Sequence, residues 1–181
     1  MASGALAAGL AASGCASLRA TSSVPLLSPA SLGQEASASQ RLSISRLSGD
    51  DGRTLTLDAV VEVDAQALRL AGFLLGQRVL LLAWDGRQLE EAREAVVPAA
   101  LRGDAVLRDL QLVYWPAAAI RGALPPGWRL EGDERHRRLL RGERVTFESE
   151  RDDAQPLGSA TLVNHAAGYR IVIESARDPS P

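Results

Sequence analysis

Apolar and polar side chains alternate along residues 54–64, which is the clearest strand pattern in the chain. Leu55, Leu57 and Val61 fall on one face of this strand, while Asp58 and Glu62 fall on the other. Weaker runs predict further strands at residues 42–44, 68–74, 79–84, 87–94, 128–131, 135–140, 145–150, 157–164 and 169–175. Asp85-Gly86 is the strongest signal for a two-residue hairpin. Strands that follow one another so closely predict an antiparallel meander, and a sheet of this width curls.

Two short helices are predicted between the strands, over residues 104–115 and 117–124. The first carries one apolar stripe, made of Val106, Leu107, Leu110, Val113 and Tyr114. Asp104 is expected to cap its first turn and to pair with Arg108 four residues later. Trp115-Pro116 ends this helix, because a residue before proline is pushed out of the helical region. The predicted fold is therefore mainly β with a helical insertion: a curled antiparallel sheet, or open half-barrel, covered by a short helical lid.

The amino-terminal residues add a prediction about the cellular location of the protein. An apolar run over residues 1–10 is followed by small residues and then by Cys15, the only cysteine among 181 residues. This resembles the lipobox of bacterial lipoproteins, although Ala12 stands where leucine is usual and residues 1–14 contain no lysine or arginine. The alternatives are an ordinary signal peptide or an alanine-rich leader with a chance cysteine.

The lipobox resemblance implies a domain plan and a location. Residues 1–14 would be a signal peptide, residues 15–37 the lipidated Cys15 and a flexible tether, residues 38–177 the folded domain, and residues 178–181 a tail. Cys15 would carry acyl chains such as palmitate, and at least two chains are needed for stable anchoring. The expected location is the periplasmic face of the outer membrane, with the membrane as a partner through this lipid.

The chain lacks the patterns that mark common catalytic sites. There is no nucleophile elbow, no phosphate-binding glycine loop and no zinc motif. His136 and His165 lie in separate predicted segments, so we expect no catalytic residue, no metal and no cofactor. The net charge of -2 gives no reason to expect nucleic acid as a partner.

One basic cluster has two interpretations. It comprises Arg129, Arg135, Arg137, Arg138, Arg141 and Arg144. The first interpretation is a solvated outer face paired with neighbouring glutamates. The second is a contact surface for anionic lipid head groups.

Several short motifs resemble one family in particular. They are Leu-Val-Tyr-Trp-Pro at residues 112–116, Leu-Pro-Pro-Gly-Trp at 124–128, Gly142, Leu-Val-Asn at 162–164 and Gly-Tyr at 168–169. The chain is similar here to a proteobacterial outer-membrane lipoprotein family of unknown function, often encoded beside aryl-polyene or fatty-acid synthesis genes. Its layout over residues 38–175 also resembles the LolA/LolB group, the carrier and receptor that pass lipoproteins between bacterial membranes. That resemblance implies an open antiparallel barrel with an apolar cavity for acyl chains.

The expected ligand site is an apolar cavity between sheet and helices. Its candidate residues are Leu57, Leu70, Leu82, Trp84, Leu110, Tyr114, Trp115, Trp128 and Tyr169. We expect this non-enzymatic protein to bind acyl or lipid chains, including a lipoprotein's acyl chains, in lipid or lipoprotein transport or localisation. The alternatives are a structural or assembly lipoprotein of an envelope complex, or an accessory factor of an aryl-polyene or fatty-acid synthesis pathway.

Overall fold

The computed structural model describes residues 24–48, 54–152 and 155–176. In this part of the chain, ten strands form one antiparallel sheet in the order β5-β4-β3-β2-β1-β10-β9-β8-β7-β6. The strands are β1 (Ala36–Arg46), β2 (Thr54–Val63), β3 (Leu68–Leu74), β4 (Gln77–Trp84), β5 (Leu89–Arg93), β6 (Trp128–Gly132), β7 (His136–Arg141), β8 (Arg144–Arg151), β9 (Ala160–Asn164) and β10 (Tyr169–Ser175). The predicted meander is confirmed, with β1 and β10 joining its two halves.

The sheet is curled but not closed, because β5 and β6 are its two edges rather than partners of one another. The mainly β fold with a helical insertion is therefore confirmed as an open sheet. Along β2, buried and exposed side chains alternate as the sequence pattern predicts. The buried side chains of the strands face inwards, where the helices lie. No helix in residues 24–48, 54–152 and 155–176 is both long and apolar enough to cross a membrane.

The two helices are α1 (Gly103–Tyr114) and α2 (Ala117–Ala123), close to their predicted bounds. The prediction that Asp104 caps α1 is wrong, because Arg102 occupies the capping position and makes no side-chain capping bond. Asp104 lies in the first turn instead, where its negative charge interacts favourably with the positive end of the helix dipole. It pairs with Arg102 at 3.0 Å and, as predicted, with Arg108 at 3.6 Å.

The start of α1 lies very close to the sheet. A Cβ atom on Gly103 would stand 2.7 Å from Cδ2 of Leu82 and 2.8 Å from Oε2 of Glu91. Glycine is therefore the residue that lets the helix approach β4 and β5 at this point.

Strand β1 is much longer than the sequence pattern predicts. Alternation was visible over residues 42–44 alone, whereas the strand runs from Ala36 to Arg46. It pairs with β2 along one side and with β10 along the other. Its serines and alanines therefore form a strand because both neighbours supply hydrogen-bonding partners, and tertiary pairing overrides a weak local pattern.

Residues 24–33 pack between the helices and the sheet. Val24 and Leu32 are buried, and a 3₁₀ turn spans Pro29–Leu32. The backbone of Leu27 donates to Oε1 of Gln111 at 2.9 Å and accepts from Nε2 of the same side chain at 2.8 Å. This paired contact fixes the segment on α1, and Val24 and Leu32 of the predicted tether belong to the hydrophobic core.

Candidate functional site

An apolar cavity of about 60 Å³ lies between α1 and the concave face of the sheet. Its walls come from β1 to β4, β9, β10, α1 and the connection between β5 and α1. The lining residues are Gln40, Leu42, Ile44, Leu57, Ala59, Leu70, Gly72, Leu80, Val97, Leu101, Val106, Asp109, Leu110, Leu162, Tyr169, Ile171 and Ile173. Polar side chains thus come from three residues in an otherwise aliphatic lining, which is the usual character of a small-molecule site.

A more open groove of about 530 Å³ adjoins the cavity at one end of the strands. Ile44, Leu101 and Tyr169 line both spaces, so they form the partition between them. Leu101 belongs to a short 3₁₀ turn at Ala99–Leu101, within the connection from β5 to α1. Outward movement of this turn would join the groove and the cavity into one apolar channel.

The connection that carries Leu101 packs Val97 and Leu101 into the core, while its hydrogen bonds are mostly local. The amide of Val97 donates to the carbonyl of Glu94 at 3.1 Å, and that of Leu101 to Pro98 at 2.9 Å. Arg93 adds one side-chain bond to the carbonyl of Val97 at 3.2 Å. Because these bonds are local, the turn can move without breaking the pairing of the sheet.

A hydrogen-bonded polar cluster lies where the cavity meets the groove. The Tyr169 hydroxyl donates to Oδ2 of Asp109 at 2.5 Å. Nδ2 of Asn164 donates to Oδ1 and Oδ2 of Asp109 at 3.0 and 3.3 Å. The side-chain oxygen of Asn164 accepts from the amide of Ala167 at 2.9 Å, which fixes the orientation of its amide group. Tyr169 and Asn164, the latter oriented by the turn that contains Ala167, therefore position the carboxylate of Asp109.

Burial dominates the electrostatics of this cluster. Asp109 is 4% exposed, and its burial raises the pKa of the carboxyl group to about 6, against the opposing effect of its hydrogen bonds from Tyr169 and Asn164. Burial, together with the neighbouring Asp109 charge, also raises the pKa of the Tyr169 hydroxyl. The tyrosine is therefore a permanent donor at neutral pH, while Asp109 changes charge near neutrality.

Gln40 marks the opposite end of the cavity. Its Nε2 donates to the Leu157 carbonyl at 2.9 Å and to the Ser175 hydroxyl at 3.1 Å. Along β1 it stands four residues from Ile44, a distance of about 13 Å in an extended strand. The cavity therefore has an aliphatic middle and a polar group at each end.

Four of the nine predicted cavity residues line the cavity together: Leu57, Leu70, Leu110 and Tyr169. Leu82 is buried beneath the start of α1, against Gly103. The role of these predicted residues in ligand binding stays a prediction.

The other four predicted residues pack elsewhere. Nε1 of Trp84 donates to the carbonyl of Leu27 at 2.8 Å, and that of Trp115 to Ser28 at 3.3 Å. The Tyr114 hydroxyl donates to the Gly158 carbonyl at 2.6 Å. Trp128 is half-buried beneath the guanidinium of Arg141, 5.6 Å from its ring centroid. Trp84 and Trp115 therefore bond to residues 24–33, and none of these four aromatic side chains lines the cavity.

The remaining chemical candidates lie away from the cavity. Cys15 lies outside the described residues. His136 and His165 are exposed, with carboxylate neighbours at 3.5 Å for Glu150 and 3.0 Å for Glu148. Among residues 24–48, 54–152 and 155–176, no group of three His, Cys, Asp or Glu side chains is placed to hold a metal ion.

The predicted arginine cluster is divided by the sheet. Arg129 pairs with Glu131 at 2.9 Å and with Glu143 at 3.2 Å on the exposed side. Arg137 instead points inwards, is 2% exposed, and donates to the carbonyl of Leu112 at 2.8 Å. It also pairs with Glu134. Arg137 therefore holds the carboxyl end of α1 and is not available as a surface contact.

Sequence reasoning missed Asp109 and Gln40 as site residues. Asp109 sits directly beside the apolar stripe of α1, so a polar residue there is compatible with the solvated edge of a helix. One available signal was Asn164 in the Leu-Val-Asn motif, a polar residue that closes an apolar strand pattern.

The family model described as "Protein of unknown function (DUF3261)" matches residues 37–177, which include both helices and the ten described strands except for Ala36, the first residue of β1. No curated protein matches the chain at a significant level. Because the match covers most of the chain, this protein belongs to the DUF3261 family.

Proposed function

We propose that this protein binds the hydrocarbon chain of an acyl lipid in the channel formed by the cavity and the groove. The observation that carries the proposal is that the two spaces adjoin one another, separated by the shared wall residues Ile44, Leu101 and Tyr169. The groove alone, at about 530 Å³, has the size of typical ligand sites. A chain lying from Ile44 to Gln40 would span about 13 Å, the length of about ten carbons.

The cavity must widen before it accepts a chain, because its present volume of about 60 Å³ is far below that of a typical ligand site. Val97 and Leu101 are the lining residues on the connection between β5 and α1, whose hydrogen bonds are mostly local. Their outward movement would therefore open the cavity with few broken hydrogen bonds. Movement of the whole helical pair is less favourable, since Arg137 holds the carbonyl of Leu112 and Glu134 accepts from the amide of Ala117.

Transfer then follows from burial. Each methylene moved from water into the channel contributes about 0.8 kcal/mol, so a modestly better acceptor is enough to receive the chain. Within this proposal Cys15 carries the membrane anchor and the domain works at the periplasmic face of the outer membrane, in lipid or lipoprotein transport or localisation. The resemblance of the sequence layout to the LolA/LolB group is the reason for this part of the proposal.

The test compares two alanine-to-leucine substitutions in the full chain carrying Cys15→Ser, which prevents acylation. Ala59→Leu fills the cavity, whereas Ala71→Leu adds the same atoms on the opposite face of the neighbouring strand. Affinity for dodecanol is measured by its displacement of N-phenylnaphthylamine. Ala59→Leu should weaken binding by at least about tenfold, because it occupies space for two or more methylenes. Ala71→Leu should leave it unchanged, and equal binding by both variants would refute the site.

The small closed volume favours one second function, a structural or assembly lipoprotein. In that case the core is simply a packed core and a protein partner binds the outer surface. If the Cys15→Ser chain binds no dodecanol but purifies with one defined protein partner at fixed stoichiometry, this second function replaces the first.

A further inference from the structure

The hydrogen-bonding capacity of Asp109 suggests which polar group a bound chain carries. A carboxylate offers about four acceptor positions. Tyr169 and Asn164 supply the donors that reach Asp109. Two donor groups leave acceptor capacity on the carboxylate, which lines the cavity next to Tyr169, a residue that also lines the groove. A ligand reaching this point therefore meets an acceptor.

The donors around Asp109 are already committed. The hydroxyl hydrogen of Tyr169 is used on Asp109. Nδ2 of Asn164 is shared between Asp109 and, at 3.4 Å, the Tyr169 oxygen. A ligand carboxylate or phosphate would consequently find no free donor here, and it would face a second negative charge in an apolar setting.

No cation within the described residues forms an ion pair with Asp109. Its neighbour on α1, Arg108, donates from Nε to the carbonyl of Val24 at 2.8 Å and lies 3.6 Å from Asp104. From the elements packed around the cavity, β1 contributes the neutral Gln40, β9 and β10 contribute Asn164 and Tyr169, and β2 to β4 contribute aliphatic side chains or glycine. The negative charge is thus stabilised mainly by hydrogen bonds, with a smaller Coulombic contribution from Arg108, which is an unfavourable arrangement for a buried carboxylate.

We propose that Asp109 selects the polar end of the ligand: a chain ending in a hydrogen-bond donor, best a primary ammonium, binds with that end at the junction, and a chain ending in a free carboxylate is rejected. This inference rests on the proposed function, because it assumes that the channel holds a hydrocarbon chain. The chain lies towards Gln40, and the polar end remains beside Asp109 and the solvent-open groove.

The test uses dodecylamine, dodecanol and dodecanoate, which share one chain and differ in the polar end. Affinities are measured by displacement of N-phenylnaphthylamine from the Cys15→Ser chain at about pH 8 and about pH 5, on either side of the titration of Asp109. At the higher pH, dodecylamine should bind about tenfold more tightly than dodecanol, as expected for a charge-assisted hydrogen bond. Dodecanoate should bind most weakly.

The pH dependence and three variants test whether Asp109 causes the preference. The amine-to-alcohol affinity ratio should fall towards one at the lower pH, where Asp109 is protonated. Asp109→Asn should abolish the ratio at both pH values. Asp104→Asn, which removes an exposed carboxylate of the same helix, should preserve it. Tyr169→Phe keeps the carboxylate but frees one acceptor position, so the ratio should increase.

The outcomes separate this inference from the proposed function. If the three ligands bind equally, or if Asp109→Asn keeps the amine preference, the inference fails while chain binding stands. If none of the three displaces the probe, both fail. A Tyr169→Phe variant that folds but shows an unchanged ratio would contradict the claim that a ligand uses the acceptor capacity of Asp109 beside Tyr169.

Discussion

Replacing Asp109 by asparagine tests whether the buried carboxyl group destabilises the protein at neutral pH. Burial raises its pKa from 3.8 to about 6 in the folded state. Between these values the folded protein binds more protons than the unfolded chain, so the free energy of unfolding decreases as the pH rises. The favourable contribution is complete below the unfolded pKa and is lost as the pH rises through the folded pKa. A shift of this size corresponds to about 3 kcal/mol.

The assay is urea unfolding of the parent protein and of Asp109→Asn from about pH 4 to about pH 8. The free energy of unfolding of the variant minus that of the parent should increase by about 2 to 3 kcal/mol over this range. The difference isolates Asp109, because carboxylates whose pKa is lowered by backbone hydrogen bonds, such as Asp64 and Asp85, titrate in both proteins.

Asp104→Asn provides a control at a group whose pKa shifts in the opposite direction. The hydrogen bond from Arg102 lowers the pKa of Asp104 from 3.8, so the stability that this group contributes is almost fully present above about pH 4. Between about pH 4 and about pH 8 the variant-minus-parent difference should therefore stay nearly constant for Asp104→Asn and increase for Asp109→Asn. A difference for Asp109→Asn that does not vary with pH would refute the burial argument.

Three substitutions test the packing, each by urea unfolding. Leu75 adopts a left-handed φ of 51° while its side chain is 96% exposed, so Leu75→Asn should raise the free energy of unfolding by about 1 kcal/mol; a decrease would contradict this. Arg137→Ala should lower it by about 3 kcal/mol by leaving buried partners unsatisfied, whereas Arg138→Ala on the exposed face should change it by less than about 0.5 kcal/mol. Gly103→Ala should cost about 1 to 3 kcal/mol through its contacts with β4 and β5, whereas Gly122→Ala, whose Cβ meets open space, should be neutral or stabilising.

The fold was predictable where one side of an element is buried and the other is solvated. The alternation along β2 and the apolar stripe of α1 each result from one buried face and one solvated face. Turn chemistry was partly readable: Asp85-Gly86 does mark a hairpin, but the loop spans residues 85–88, because Oδ1 of Asp85 accepts from the amides of Arg87 and Gln88. Strand β1 was hardly visible, since its stability comes from two neighbours that are distant in sequence.

The cavity was less predictable than the sheet, because periodicity assigns a residue to a face but not to a place on that face. Leu70 and Leu82 are paired on neighbouring strands and are both buried, yet Leu70 lines the cavity and Leu82 lies beneath Gly103. The space near Trp84 and Trp115 is filled by residues 24–33, which sequence analysis placed largely in a tether. Asp109 was missed because its partners come from β9 and β10, more than fifty residues away.

The four isoleucines of the chain allow the most direct test of the proposed channel. Ile44, Ile171 and Ile173 line the cavity, whereas Ile120 is buried on α2 outside it. With isoleucine methyl groups labelled for NMR, dodecanol bound to the Cys15→Ser chain should give intermolecular nuclear Overhauser effects to the first three methyl groups and none to Ile120. Bound dodecanol with effects at Ile120 alone, or at no isoleucine, would contradict chain binding between the sheet and α1.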